Sequence, residues 1–242
     1  EFKRLAPETG ALYRWFELNL PKPHIVIGKS TGAITGAVCL PWTEKNFKEK
    51  LEVIRNLTPG QIFTMPWSVL MPAIIMASFT TFPVLNFLRD RFAKKPNQSR
   101  LPISIAEVLL SWATGYFLIK KFLRVKSVFS NRPMAETLTT HLDAEGVLNS
   151  HIILEILATD MQTKEEIVFC NRTIRNRKEL VEAILASSRL PGRFEPLVIG
   201  GHYLGDGGIL GFAPIHRALL HGCDTIFVFL FSAIRLVSTL LS

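Results

Sequence analysis

Pro23-His-Ile-Val-Ile27-Gly28-Lys29-Ser30-Thr31-Gly32-Ala33-Ile-Thr-Gly-Ala-Val-Cys-Leu40 is the stretch on which the reading of this chain turns. The short β-branched run at 23–27 suits a strand. The glycines at 28 and 32 bracket a sharp turn, and the small and apolar residues from Ala33 to Leu40 continue as a helix. This is GxSxG in a strand–turn–helix context, where the spacing carries chemistry. Such a turn holds Ser30 in a strained geometry, and Gly28 and Gly32 keep side chains from blocking it. The following helix directs its positive end at the hydroxyl and at any developing oxyanion. Two other readings use the same residues. Gly28-Lys29-Ser30 resembles the tail of a phosphate-binding loop, but Pro23 stands where that loop needs a glycine. The strand also runs directly into Gly28 and leaves no room for a phosphate cradle. A serine that merely caps the helix is the plain structural alternative.

Outward from this turn, apolar strands alternate with helices. Residues 11–18 (ALYRWFEL) read as a helix ended by Pro21, and Thr43 caps a helix through Arg55 with Phe47, Leu51 and Ile54 on one face. Residues 152–158 and 166–169 read as strands, and 177–188 as an amphipathic helix with Leu180, Ile184 and Leu185 inward. A helix over 214–220 stops at Gly222, and 225–230 (TIFVFL) reads as an apolar strand. The pattern predicts an α/β layered domain with a mainly parallel sheet buried on both faces. Sites in such sheets lie on loops at the carboxyl ends of strands. A chain of 242 residues suits one such domain and buries about 70% of its unfolded surface.

Composition excludes several classes. The 48% hydrophobic content with 17 Phe is too apolar for disorder, 15 Gly are too few for collagen, and 3 Cys are too few for a disulfide scaffold. Cys39, Cys170 and Cys223 lie far apart in apolar contexts and read as free, buried thiols. No CxxC pair or His/Cys spacing suggests zinc, so no metal and no cofactor is expected.

The formal net charge of +8 is concentrated in one place. Ten basic residues (Arg89, Arg91, Lys94, Lys95, Arg100, Lys120, Lys121, Arg124, Lys126 and Arg132) face only Asp90 and Glu107, and elsewhere the charges balance. Just before this block, residues 56–88 carry no charge. The apolar run 62–88 exceeds the roughly 20 residues that cross a bilayer, although Pro66, Pro72 and Pro83 oppose one straight helix. A second apolar run, 108–119, leads directly into Lys120 and Lys121. Apolar and aromatic segments abutting basic ones suit a peripheral surface at an anionic membrane. A buried helical subdomain and a transmembrane hairpin are the alternatives for this insertion at about 56–132. Nucleic acid is not an expected partner, since no binding motif accompanies the charge. The N-terminus carries charge and no apolar leader, which points to an intracellular, membrane-associated protein.

A serine nucleophile needs a base. None of the six histidines (24, 141, 151, 202, 216 and 221) stands in a telling motif. Asp206, in Leu204-Gly205-Asp206-Gly207-Gly208, is the better candidate, although aspartate between glycines is commonly a turn residue.

Four blocks together resemble the patatin-like phospholipases. They are Ile27 to Ala33 around Ser30; Ala158-Thr-Asp160 through Glu166 to Asn171; Ala186-Ser-Ser-Arg-Leu-Pro191-Gly192 with Phe194; and Asp206-Gly207-Gly208 followed by Pro214, Ala218 and Gly222 to Ile226. The resemblance implies a single three-layer α/β/α domain and a Ser30–Asp206 dyad acting on acyl lipids through an acyl-enzyme. It places the nucleophile elbow at Gly28 and Gly32 and the aspartate loop at Gly207 and Gly208. Glycerolipids, phospholipids and lysophospholipids are the implied substrates. The chain departs from the family at the glycine-rich oxyanion loop. Counted back from Gly10, that loop falls at Glu1-Phe-Lys-Arg4-Leu5, where Arg4 matches a basic position and the glycines are absent. The expectation is that loop and first strand are truncated or degenerate, with the Thr31 N–H as a remaining donor. Two rival functions follow: a catalytically impaired lipid-binding member of the family, and a Ser–His–Asp esterase using His202, His216 or His221.

Overall fold

The computed structural model describes residues 2–40, 42–65, 127–211 and 213–229. The chain divides into two compact units, Glu1–Thr64 with Asn131–Ser242, and Met65–Ser130. The second unit falls within the stretch read from the sequence as an insertion at about 56–132. Residues 56–64 belong to the first unit, where the helix Glu44–Asn56 and the 3-10 turn Pro59–Gln61 precede the boundary. The apolar runs beyond Met65 and the basic block, apart from Arg132, lie outside the described residues, as do the three readings made of them. Among the described residues, no helix is long and apolar enough to cross a membrane.

The first unit begins with α1 (Phe2–Glu17), longer than the helix expected from the pattern. It closes where Asn19 takes φ 50°, a left-handed position that asparagine tolerates and that commonly ends helices. The Trp15 indole then donates to Pro21 O at 2.9 Å. β1 (Ile25–Lys29) and α2 (Thr31–Cys39) form the expected strand–turn–helix around Ser30. α2 lies close on the sheet because Gly36 faces Val26 and Leu154, where a Cβ would meet methyl carbons at 3.0 and 3.2 Å. α3 (Glu44–Asn56) starts as expected at Thr43, whose hydroxyl accepts from the Asn46 N–H. α4 (Arg132–His141) and α5 (Ala144–Leu148) lead into β2 (Ile153–Asp160), β3 (Glu166–Cys170) and α6 (Arg177–Ser187). A hairpin follows, β4 (Leu197–Ile199) and β5 (His202–Gly205), with Gly200 and Gly201 at φ 60° and 87° in its two-residue turn. Asp206 then caps the 3-10 turn Gly207–Leu210, and α7 is Ile215–Leu220.

The sheet runs β1-β2-β5-β4, with β3 also paired to β2. The parallel pairing expected of apolar strands is the one between β1 and β2; the other three described pairings are antiparallel. Two of those three are hairpins, β2–β3 and β4–β5, whose short loops permit no other direction. Alternation along β2 separates the faces. Leu154 and Ile156 join a buried cluster with α2 and α6 that includes Ile34, Phe47, Leu138 and Ile184, while Glu155 turns toward α7 and binds Arg217 and His221. Helices thus cover both faces, and the fold is α/β.

The register of β2 shows how the sheet brings distant residues together. β1 and β3 both pair with positions 155–157, so they lie on opposite edges of β2. β3 and β5 both pair with Thr159, so β5 lies on the same edge as β1. β1 runs parallel to β2 and ends with Lys29 opposite Leu157; β5 runs antiparallel and ends with Gly205 opposite Thr159. The two strands therefore point at each other, carboxyl end to carboxyl end, across the gap beside Ala158. The next residues are Ser30 and Asp206.

One expected strand is not formed. Residues 225–229 are not in a strand, and Phe227 stacks edge-on against Trp15 with centroids 4.2 Å apart. An apolar run does not by itself specify a ladder partner, and here Phe227, Val228 and Phe229 stay largely exposed apart from this edge-on ring contact.

Candidate active site

Ser30 leaves β1 at φ 54° and ψ −122°, outside the regions an ordinary residue occupies without strain. Its Oγ donates to Asp206 Oδ2 at 2.6 Å. Asp206 is 3% exposed. Its other oxygen, Oδ1, accepts the Gly208 N–H at 2.7 Å, and its own N–H donates to Arg189 O at 2.9 Å. The carboxylate is thus oriented from both sides with Oδ2 toward the serine.

The glycines expected at the site are not all required by the space around them. A Cβ at Gly28 would lie 2.5 Å from Gly32 O and 2.6 Å from Ala33 Cα, so only hydrogen lets the elbow close. A Cβ at Gly207 would lie 2.0 Å from Leu157 O. At Gly208 the nearest atom would be Asp206 Oδ1 at 3.0 Å, and at Gly32 nothing lies within 4 Å.

Thr31 opens α2, so its N–H is among the first-turn donors that a helix leaves without an internal partner. Its hydroxyl donates to Glu8 Oε1 at 3.2 Å, and Thr35 donates to Glu8 Oε2 at 2.7 Å, which ties α1 to the elbow helix. Burial, with the Glu8 carboxylate adding to it, pushes the Cys39 thiol far above its usual range, so that cysteine is an inert packing group. Arg4 falls within α1. A helix, not a glycine-rich loop, thus occupies the stretch where loop donors were expected, and the Arg4 side chain lies outside those described.

The histidines proposed for a triad go elsewhere. His202 Nδ1 is 2.7 Å from Asp160 Oδ2, His216 Nε2 3.1 Å from Glu166 Oε1, and His221 Nε2 2.8 Å from Glu155 Oε1. Among the described residues, no group of three His, Cys, Asp or Glu side chains is arranged to hold a metal ion.

Two contacts were not legible in the sequence. The Ser30 N–H donates to Ser187 Oγ at 3.0 Å, across 157 residues of chain. Ser187 stands within the Ala186-Ser-Ser-Arg block that resembles the family, yet no spacing rule ties it to Ser30. Lys29 Nζ donates to Glu166 Oε2 at 2.6 Å and to Gly211 O at 3.4 Å, so a cation with only 7% of its side chain exposed spans β1, β3 and the end of the aspartate loop.

The sequence model of the patatin-like phospholipase family matches residues 6–219. The chain belongs to that family. The patatin-like match takes in every described strand, the elbow at Ser30 and the loop at Asp206, and it ends within α7. Membership makes this a lipid acyl hydrolase family protein, with lipid as the implied substrate class. No curated protein matches the chain.

Proposed function

We propose that this chain hydrolyses acyl ester bonds of lipids, with Ser30 as nucleophile and Asp206 as its base. The observation that carries the reading is the 2.6 Å hydrogen bond from Ser30 Oγ to Asp206 Oδ2 at a strained elbow. With Oδ1 occupied by the Gly208 N–H, Oδ2 receives the serine proton as Oγ attacks the ester carbonyl. The developing oxyanion meets the amino-terminal end of α2, where the Thr31 N–H and the helix dipole favour negative charge. Collapse of the tetrahedral species breaks the bond to the alcohol, which leaves with the proton held on Asp206. Water then attacks the acyl-serine, giving its proton to Asp206, and the fatty acid departs as Ser30 is regenerated. Immediately past Asp206, Ile209 and Leu210 are 41% and 43% exposed, apolar surface suited to an acyl chain.

Fluorophosphonate labelling tests the nucleophile: the purified chain takes up the probe and Ser30→Ala does not. Equal labelling of the two proteins would remove Ser30 from the mechanism. Asp206→Asn is expected to slow ester hydrolysis by about 100-fold or more, the range for loss of a positioned base, and full activity in that variant would sink the dyad.

A second reading is favoured by α1. Phe2–Glu17 is helical where a glycine-rich loop would present donors, and loss of one oxyanion donor costs about 3–4 kcal/mol. On this reading the protein binds lipid without turning it over, and the folded chain takes up no fluorophosphonate.

A further inference from the structure

We propose that Ser187 is the positioning residue of this site, a buried hydroxyl that sets the nucleophile and the aspartate loop against one shared carbonyl. The inference rests on the Ser30–Asp206 reading and adds to it a residue outside the dyad.

Leu157 O stands beside the gap where β1 and β5 converge. Ser187, with 0% exposure at the end of α6, donates its Oγ–H to that carbonyl at 2.6 Å and accepts the Ser30 N–H at 3.0 Å. Its one proton is committed to Leu157, so its lone pair receives the serine amide and the polarity of the relay is fixed. Gly207 lies against the same oxygen, so closely that a Cβ there would come to 2.0 Å. The nucleophile reaches Leu157 O through one hydroxyl, and the aspartate loop touches it through one glycine. Residues 176 positions apart are thereby referenced to a single atom, at a place where β1 and β5 share no ladder hydrogen bonds.

The backbone strain at Ser30 gives this contact its consequence. A serine at φ 54° and ψ −122° persists only if its surroundings over-determine it. Without the Ser187 oxygen, the Ser30 N–H in the elbow loses its acceptor and the residue is free to relax. Rotation about ψ of Lys29 or φ of Ser30 moves Oγ, and Asp206, held separately by Gly208 and Arg189, does not follow.

The test uses the full chain with four substitutions. Ser187→Ala is expected to slow fluorophosphonate labelling of Ser30 by about 10- to 100-fold, the penalty for roughly an ångström of misplacement. Hydrolysis of a short-chain ester should lose kcat with KM held. Ser187→Cys, which keeps a weak donor and acceptor of similar size, should fall between Ala and wild type. Ser188→Ala is the control, since that hydroxyl bonds Leu185 O within its own turn; it should label at the wild-type rate. Amide exchange at Ser30 supplies a readout independent of catalysis and should quicken at least tenfold in Ser187→Ala, while the amides of β2 stay protected. Wild-type labelling in Ser187→Ala overturns the positioning role. If the wild-type chain itself is not labelled, or is labelled equally as Ser30→Ala, the hydrolase reading falls and the exchange result alone decides: unchanged protection at Ser30 overturns the proposal, faster exchange supports it. Should Ser187→Ala fail to fold, the same two readouts on Ser187→Cys carry the test.

Discussion

Ser30, Gly28 and Gly32 were legible as a unit from five residues of sequence, but the spacing treats the two glycines as equivalent and the backbone does not. Gly28 is the residue against which Gly32 O and Ala33 Cα close at 2.5 and 2.6 Å, whereas Gly32 has open space around the position of its missing Cβ. Gly28→Ala therefore forces main chain apart and is expected to lower stability by about 1–3 kcal/mol, the usual cost of overpacking, and to abolish fluorophosphonate labelling. Gly32→Ala sits within the first turn of α2 and is expected to raise stability by about 0.5–1 kcal/mol through helix propensity. Thermal denaturation of the two variants checks the pair, and equal destabilisation would contradict the open space at Gly32. The sequence could not separate them because a motif records which residues recur at a turn. Which neighbour fills the space beside each one depends on the path of chain further along. Ser187 was hidden for the same reason: its partner lies 157 residues away, and its own neighbours describe only a helix end.

At the level of elements, periodicity located β1, β2, β3, α3 and α6 to within a few residues because their apolar faces point into one core. The β4–β5 hairpin has no comparable periodic signal, although Leu197-Val-Ile199 and His202-Tyr-Leu204 flank Gly200-Gly201 in the manner of a two-residue turn. Its strands are too short and too exposed for alternation to stand out, with Val198 and Tyr203 at 55% and 45% exposure. Yet this hairpin delivers Asp206 to the site. α7 is attached differently, by charge. Glu155, 3% exposed on β2, takes Arg217 through both carboxylate oxygens at 2.9 and 2.6 Å and His221 at 2.8 Å. Burial acts to raise the Glu155 pKa, but the hydrogen bonds and charges of Arg217 and His221 outweigh it and hold the carboxyl below its ordinary value of 4.5. A group depressed in the folded state contributes its stability above its unfolded pKa and loses it as pH falls through the folded value. The chain should therefore lose stability progressively below about pH 4.5, and Asp160, lowered by its hydrogen bond from His202, acts in the same direction. Glu155→Gln should be less stable than wild type at pH 7 and show a shallower fall between pH 5 and 3 (denaturant midpoints, read by circular dichroism). Parallel pH profiles for the two proteins would show that Glu155 is not part of the acid transition.

For the whole molecule, the distribution of charge matters more than its total. The folded α/β unit carries its charges in near balance, with cations such as Lys29 and Arg217 consumed by internal carboxylates, and the excess of +8 is that of residues 89–132. Those ten cations share a segment with uncharged stretches rich in Phe, Met, Leu and Trp, so the region combines apolar groups that favour a lipid interface with heads that favour anionic phosphate. A hydrolase of water-insoluble substrates has use for such a segment, because its substrate is itself a surface. We infer that this region holds the protein against anionic membranes, and the two contributions predict different salt behaviour. Near a surface each basic side chain adds about 1 kcal/mol, and that part is screened over roughly 10 Å at 0.1 M salt; the apolar part is not. In sedimentation with vesicles, the full chain should bind phosphatidylserine-containing membranes at least tenfold more tightly than neutral ones in 50 mM NaCl, and lose most of that difference by 500 mM. Neutralising Lys120, Lys121, Arg124 and Lys126 to Gln should reduce the anionic preference, with fluorophosphonate labelling of Ser30 measured alongside to check that the variant remains folded. Binding that ignores both lipid charge and salt would assign the attachment to the apolar stretches alone, and the clustering of basic residues would then need a different partner.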